Sequence, residues 1–282
     1  MPKTQPTVVI LTALALEYEA VLDWIEDPEE LTHEGGTIVE AGRLSGTPWT
    51  VAVAELGEGA VNAAALTTQI IAWLRPEALL FVGVAGGLKD DVEIGDVVVG
   101  TKVYAVQGGK LTPEGFKARP EVWHGSHRLV QAARSVLREM KNEVRGHRKP
   151  IACADVVLAD DRSAFAEYIG QHYNDAYAIE MEGSGAAHAA HLNGQLDALV
   201  VRGISDHANP DKDEADASGS QGRAAAQAAA VAMAILRRLR PRDHSSEPGE
   251  GAAEEPRHRG DHLDFRNSVF NGPVVGKITG RP

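Results

Sequence analysis

The sequence predicts an α/β fold in which helices cover both faces of a mixed sheet. Three observations carry that reading. Apolar runs of strand length alternate with helical patterns through residues 1–240. Some runs, such as "ALLFVGVA" (78–85), are apolar at nearly every position, as strands buried on both faces are. The runs 37–42 and 49–55 are joined only by "RLSGTP", which makes them an antiparallel hairpin.

Taken in order, strands are expected at 7–12 ("TVVILT"), 37–42 ("TIVEAG"), 49–55 ("WTVAVAE"), 78–85 and 94–106 ("IGDVVVGTKVYAV"). Two more follow at 151–158 ("IACADVVL") and 197–205 ("DALVVRGIS"). Most are rich in Val and Ile, which suit a pleated, buried surface. Helices are expected at 16–26, 60–74, 126–141, 162–172, 184–193 and 219–239. The last is an alanine-rich packing helix whose basic C-terminal end complements the helix dipole. No internal repeat is visible.

At 282 residues and 43% hydrophobic composition, the chain can build one large α/β domain or two small ones. Its net charge of −12 argues against nucleic acid or an anionic membrane as the main partner. Cys153 is the single cysteine, so no intramolecular disulfide can form and a reducing compartment, the cytoplasm, is expected. It falls in an expected buried strand with no activating base beside it, which makes it core. The opening "MPKTQPTVVILT" is too short an apolar run for a signal peptide or a membrane span.

Composition shifts at position 241. Residues 1–240 form the folded domain; 241–264, built of Pro, Gly, Ser and charges, cannot repay their ordering entropy and are expected to be a disordered linker. Residues 265–282 turn apolar and β-prone again.

Ligands in open α/β sheets bind beyond the carboxyl ends of strands. Four polar clusters fall there: Glu17, Gly86–Gly87, Glu180 with Glu182, and Ser205–Asp206. In an extended segment, residues i and i+2 share a face roughly 7 Å apart. Glu180 and Glu182 therefore repel unless something cationic or rich in hydroxyls lies between them. "GVAGG" (83–87) is neither a Walker A loop nor a dinucleotide fingerprint, and "LGEGAVNAA" (56–64) reads as a glycine corner. The pairs His124/His127 and His188/His191 have helical ligand spacing but no matching acid, and read as solvated helix faces.

The segments "ALEYEA", "GVAGGLKDDVEIGDVVVG", "AIEMEG" and "VVRGISDHAN", in this order across residues 7–240, resemble the purine nucleoside phosphorylase/methylthioadenosine nucleosidase superfamily. The resemblance implies a three-layer α/β/α sandwich with a mixed central sheet. It also implies a homodimer or hexamer, a purine nucleoside or nucleotide as substrate, and no metal or cofactor. Asp206 would protonate the purine at N7, and Glu182 would hold the ribose hydroxyls. Met181 would pack beneath the sugar, with Glu180, Ala85, Gly86 and Ser205 lining the pocket. Glu17, with Arg202 nearby, would bind and activate the attacking water.

Chemistry supports those roles. Breaking an N-glycosidic bond builds positive charge on the sugar and negative charge on the base, which call for carboxylates at one end and a proton donor at the other. Desolvation and neighbouring acids would let Asp206 keep its proton at neutral pH, and the cationic sugar would sit between the glutamates. The loop "TALALEYEA" offers a glutamate and no arginine, which favours water over phosphate, and Arg43 reads as a structural residue of the hairpin. Two departures from the nucleosidase pattern leave the substrate open, including a nucleotide such as ATP. Val84 stands where a serine is common, and "VVLADDRSAF" (156–165) lacks the aromatic platform for adenine; Phe165 from the next helix is one candidate for that place, but it reads first as a core phenylalanine. Phosphorolysis, or a weakly catalytic nucleoside sensor, are the alternatives.

The segment "RNSVFNGPVVGKI" (266–278) admits two readings. It resembles amyloid signalling motifs that join bacterial effectors to NLR-like receptors, or it adds a last strand to the domain's own sheet.

Overall fold

The computed structural model describes residues 6–194 and 196–242. The expected linker from residue 243 onward and the whole 265–282 tail lie outside them. In chain order the elements are β1 (Thr7–Thr12), α1 (Ala15–Leu22), β2 (Ile25–Thr32), β3 (Ile38–Leu44), β4 (Thr50–Glu55), α2 (Ala60–Leu74) and β5 (Ala78–Gly87). Next come β6 (Val97–Ala105), β7 (Gly109–Thr112), β8 (Gly115–Ala118), β9 (Glu121–His124), α3 (His127–Glu139) and β10 (Gly146–Cys153). The last are α4 (Ala164–His172), β11 (Ala178–Glu180), α5 (Gly183–Leu192), β12 (Asp197–Asp206), α6 (Lys212–Ala217) and α7 (Ser220–Arg238).

The main sheet runs β11-β10-β6-β12-β5-β1-β4-β3-β2, with β9 added beside β6. Its centre is parallel through β4-β1-β5-β12, whereas β12–β6 and the β2-β3-β4 meander are antiparallel. The sheet is mixed, as the hairpin implied. A short antiparallel pairing of β11 with β5 closes strands β5, β12, β6, β10 and β11 into a ring. The carboxyl ends of β5, β11 and β12 consequently converge on one point. Helices α1, α3 and α7 pack one apolar layer and α2 and α5 the other, which gives the expected three layers. Gly185 lets α5 lie directly on α2, since a Cβ there would meet the Ala60 carbonyl oxygen at 2.0 Å.

Three sequence expectations are corrected. The first helix stops at Leu22, because Ile25 enters the core opposite Leu44 and starts an edge strand. The rest of that strand, "EDPEELT", is exposed; its acids and Pro28 blunt the edge and erase the alternation that would have marked it. The strand expected at 151–158 instead spans 146–153, in parallel register with β6, and 156–158 lie beyond its end in a loop. Finally, the chain stays bonded to the domain two residues past Arg240. The Arg242 amide donates to Glu77 at 2.7 Å, and its guanidinium donates to Asp197 at 2.7 Å.

Candidate active site

A cavity of about 170 Å³ opens where these strand ends meet. Each wall is set by a strand and the turn that follows it. Beyond β1, the N-terminal amides of α1 are gathered by Glu17 from within its own first turn. Its Oε2 accepts from Ala13 N at 2.8 Å and Leu14 N at 3.1 Å, which places a carboxylate at the positive end of the helix dipole. Its Oε1 accepts from Val84 N at 2.7 Å, so Val84 contributes its backbone here.

Beyond β11, Glu180 does for α5 what Glu17 does for α1. Its Oε2 accepts from Glu182 N at 3.1 Å and from Gly183 N at 2.8 Å. Glu182 accepts from Gly59 N at 2.9 Å, the glycine corner that opens α2. Both glutamates then meet the same guanidinium. Arg202 Nη2 bonds Glu180 Oε2 and lies 3.3 Å from Glu182 Oε2, while its Nη1 is 3.8 Å from Glu17 Oε1. The cation between the two glutamates is therefore a resident arginine. Arg202 is 1% exposed and stacks over Phe81 at 4.6 Å. The approach requires glycine at position 83, where a Cβ would fall 2.2 Å from Arg202 Nη1 and 2.3 Å from Glu17 Oε1.

Three carboxyl groups share one buried guanidinium, and the imbalance is felt by Glu182. Its burial, with the fields of Glu180 and Glu17, outweighs the help of Arg202 and the Gly59 amide and pushes its pKa up to about 7. Burial alone would weaken the charge of Arg202, but the three glutamates reverse this and raise its pKa. Two buried polar atoms of the cluster, Glu180 Oε1 and Arg202 Nε, have no partner among the described residues.

At the other end of the cavity, Asp206 is 3% exposed. The sequence reading expected neighbouring acids around it. The structure instead gives it three donors: Ala208 N at 2.8 Å, Ser205 Oγ at 2.9 Å and Lys212 Nζ at 2.9 Å. Ala85, Gly86, Met181 and Ser205 line the cavity with Glu17, Glu180, Glu182 and Asp206.

Phe165 does not reach the cavity. It packs against the buried cluster that holds Ile169 and Tyr173, and the exposed Val156 and Val157 occupy the wall instead. Arg43 pairs with Asp27 at 2.7 Å on the hairpin, away from the cavity. Cys153 is buried, with burial and the Glu180 charge pushing its thiol up, so it stays an unreactive thiol of the core. His188 and His191 lie against the Trp123 ring, His188 stacked at 4.3 Å. Among the described residues, no group of three or more His, Cys, Asp or Glu side chains is placed to hold a metal ion. The sequence reading missed Lys212, which sits in the acidic, loop-like "NPDKDEADASGS" where no pattern marks it.

Known proteins resemble this chain in sequence and in fold. A 5'-methylthioadenosine/S-adenosylhomocysteine nucleosidase of Chromohalobacter salexigens is 29% identical over 215 residues, covering 73% of this chain and 86% of the relative. The Neisseria meningitidis nucleosidase of the same name, solved with methylthio-immucillin-A, superposes with a TM-score of 0.73 at 24% identity, over 83% of this chain and 99% of that one. The native futalosine hydrolase of Helicobacter pylori superposes with a TM-score of 0.72 at 23% identity, over 83% and 99% of the two chains. At those identities the structural matches establish the shared fold. A family model described as the phosphorylase superfamily matches residues 7–239, nearly the whole described domain, and the chain belongs to that superfamily.

Proposed function

We propose that this protein hydrolyses the N-glycosidic bond of a purine nucleoside or nucleotide, with adenine the expected base. The observation that carries the reading is the buried set of Glu17, Glu180 and Glu182 around Arg202, facing Asp206 across one cavity. Such a set suits a sugar that turns cationic and a base that leaves as an anion. Glu182 takes the ribose hydroxyls, Met181 packs under the sugar, and Glu17 orients and deprotonates the water. Asp206 passes a proton to the base at N7, with Ala85, Gly86 and Ser205 framing it.

Hydrolysis fits the charges better than phosphorolysis. A phosphate needs an uncommitted cation. Arg202 is already shared by three carboxyl groups, Lys212 is bonded to Asp206 and Asp216, and Arg43 is elsewhere. The relatives named above, nucleosidases and a futalosine hydrolase, support the same reaction class. A cytoplasmic homodimer or hexamer is part of the proposal. So is recruitment by an NLR-like receptor through 266–278, which is carried by the sequence of that segment. Among the described residues, no helix is long and apolar enough to cross a membrane.

The test is incubation with methylthioadenosine, S-adenosylhomocysteine, adenosine, inosine, AMP and ATP, with and without phosphate. Free base with free ribose or ribosyl product is expected, at a rate indifferent to phosphate. Ribose 1-phosphate as the product would sink the hydrolase reading. Asp206→Asn and Glu17→Gln should each slow base release at least ~100-fold, the usual scale of acid–base contributions.

A further inference from the structure

The acid at the base end of the cavity does not stand alone. Asp206 Oδ1 accepts from Ala208 N, and Oδ2 accepts from both Ser205 Oγ and Lys212 Nζ. The backbone amide is committed to its place, and the ammonium of Lys212 is the cationic proton donor in contact with the carboxyl group. Lys212 lines the cavity itself and its side chain is 20% exposed. It opens α6, an element with no buried residue, so apolar packing does not explain its position. A second carboxyl group, Asp216, lies 3.3 Å from the same nitrogen one turn along. Burial opposes the charge on Lys212, but Asp206 and Asp216 together outweigh it and raise its pKa above the ordinary lysine value.

We propose that Lys212 supplies, through Asp206, the proton that the departing purine takes. The inference rests on the reading of Asp206 as the residue that protonates the base. As the C1'–N9 bond breaks, its electron pair moves onto the purine. One proton leaves Lys212 Nζ for the Asp206 carboxylate, and the carboxyl group delivers one proton to N7. The water oxygen bonds to C1' and gives its proton to Glu17. Proton exchange with solvent then returns Glu17 to carboxylate and Lys212 to ammonium.

The groups around the pair are few. Asp216 faces it from α6, while β5 and α7 contribute the uncharged Gly86 and Gln221 to the same wall. His207 follows Asp206 in the chain and is exposed, and Glu17, Glu180 and Glu182 are turned toward Arg202. Among the described residues, nothing else cationic bonds Asp206. Its proton supply therefore depends on Lys212.

The experiment measures kcat and KM from pH 5 to 9 for wild type, Lys212→Met, Lys212→Arg and Asp206→Asn, with each of the six probe substrates above that is turned over. Wild-type kcat should hold through neutral pH, because the ammonium keeps its proton there. Lys212→Met should lose at least ~100-fold in kcat at pH 8 with KM little changed. Its kcat should climb as pH is lowered toward 5, since without the ammonium the carboxylate has to take its proton from solvent. Lys212→Arg restores the ion pair and the fold but cannot release a proton, so it should share the loss at pH 8.

A wild-type rate in Lys212→Arg, or a loss in Lys212→Met that is the same at every pH, would overturn the proton-supply role while leaving Asp206 as the acid. Should Lys212→Met fail to fold, the arginine variant decides the question by itself. Normal turnover in Asp206→Asn, or no base release from any probe, would overturn the underlying reading and this inference with it.

Discussion

Replacing Arg202 with methionine keeps the length of the side chain and removes the one cation shared by Glu17, Glu180 and Glu182. The guanidinium is 1% exposed and bonds Glu180 and Glu182, so its loss leaves their charges without their buried partner. Removing one partner of a buried pair costs about 3–5 kcal/mol, because the other charge is left uncompensated. Here three carboxyl groups are left, which places the loss at the upper end. Against a typical total stability of about 5–15 kcal/mol, the variant retains between nothing and two thirds of its folding free energy. The pH dependence follows from linkage. In the variant the buried carboxyl groups hold protons that the unfolded chain, with carboxyls near ~4.3, has already released. The folded variant therefore binds more protons than the unfolded one, and its stability falls as pH rises. Urea unfolding at pH 5.5 and pH 8 checks this: with a slope of ~3 kcal/mol per M, the midpoint should drop by about 1.7 M at pH 8 and by less at pH 5.5. An unchanged midpoint at pH 8, or a larger loss at the lower pH, would refute the account of the cluster.

Three further outcomes are expected. Glu182 has its pKa pushed up to about 7 by burial, above its ordinary value of 4.5, so its contribution to stability is full below the unfolded value and is lost as pH rises to about 7. Glu182→Gln should therefore gain up to about 3 kcal/mol at pH 8 relative to wild type and nothing at pH 4, read by thermal or urea unfolding, while KM for the nucleoside rises. Cutting the chain after Arg242 should leave a folded domain, whereas cutting after Arg240 removes a half-exposed partner of Asp197 and should cost no more than about 1 kcal/mol. The isolated 265–282 peptide should form fibrils with a ~4.7 Å strand repeat; a monomeric peptide together with an aggregating truncated domain would instead make the tail a strand of the native sheet.

Much of the domain was legible because its signals are local. The apolar runs at 7–12 and 78–85 have one environment available to them, the middle of a sheet covered on both sides, and the structure buries them there. The order of the "ALEYEA", "AIEMEG" and "VVRGISDHAN" segments was enough to nominate Glu17, Glu180, Met181, Glu182, Arg202, Ser205 and Asp206, which tertiary folding brings to a single cluster and cavity. The edge strand Ile25–Thr32 was illegible for the opposite reason. Only Ile25 is buried, and the other residues are mostly acids, with a proline among them, whose pairing is imposed by β3 rather than by their own preferences.

What fills the space between side chains far apart in sequence is decided only by tertiary structure. The sequence determined that Glu180 and Glu182 must face something cationic or rich in hydroxyls, because two acids on one face repel. It could not say that Arg202 would be that cation, since the arginine comes from another strand and enters through the gap left by Gly83. In the same way it placed an acid at position 206 but left its partner unnamed. Lys212 sits in a segment with no periodicity, and a helix of six residues carries it back over the strand end to a contact of 2.9 Å. Local pattern fixes which residues are buried and in what kind of element; the charge state of a buried group depends on contacts that only the completed fold creates.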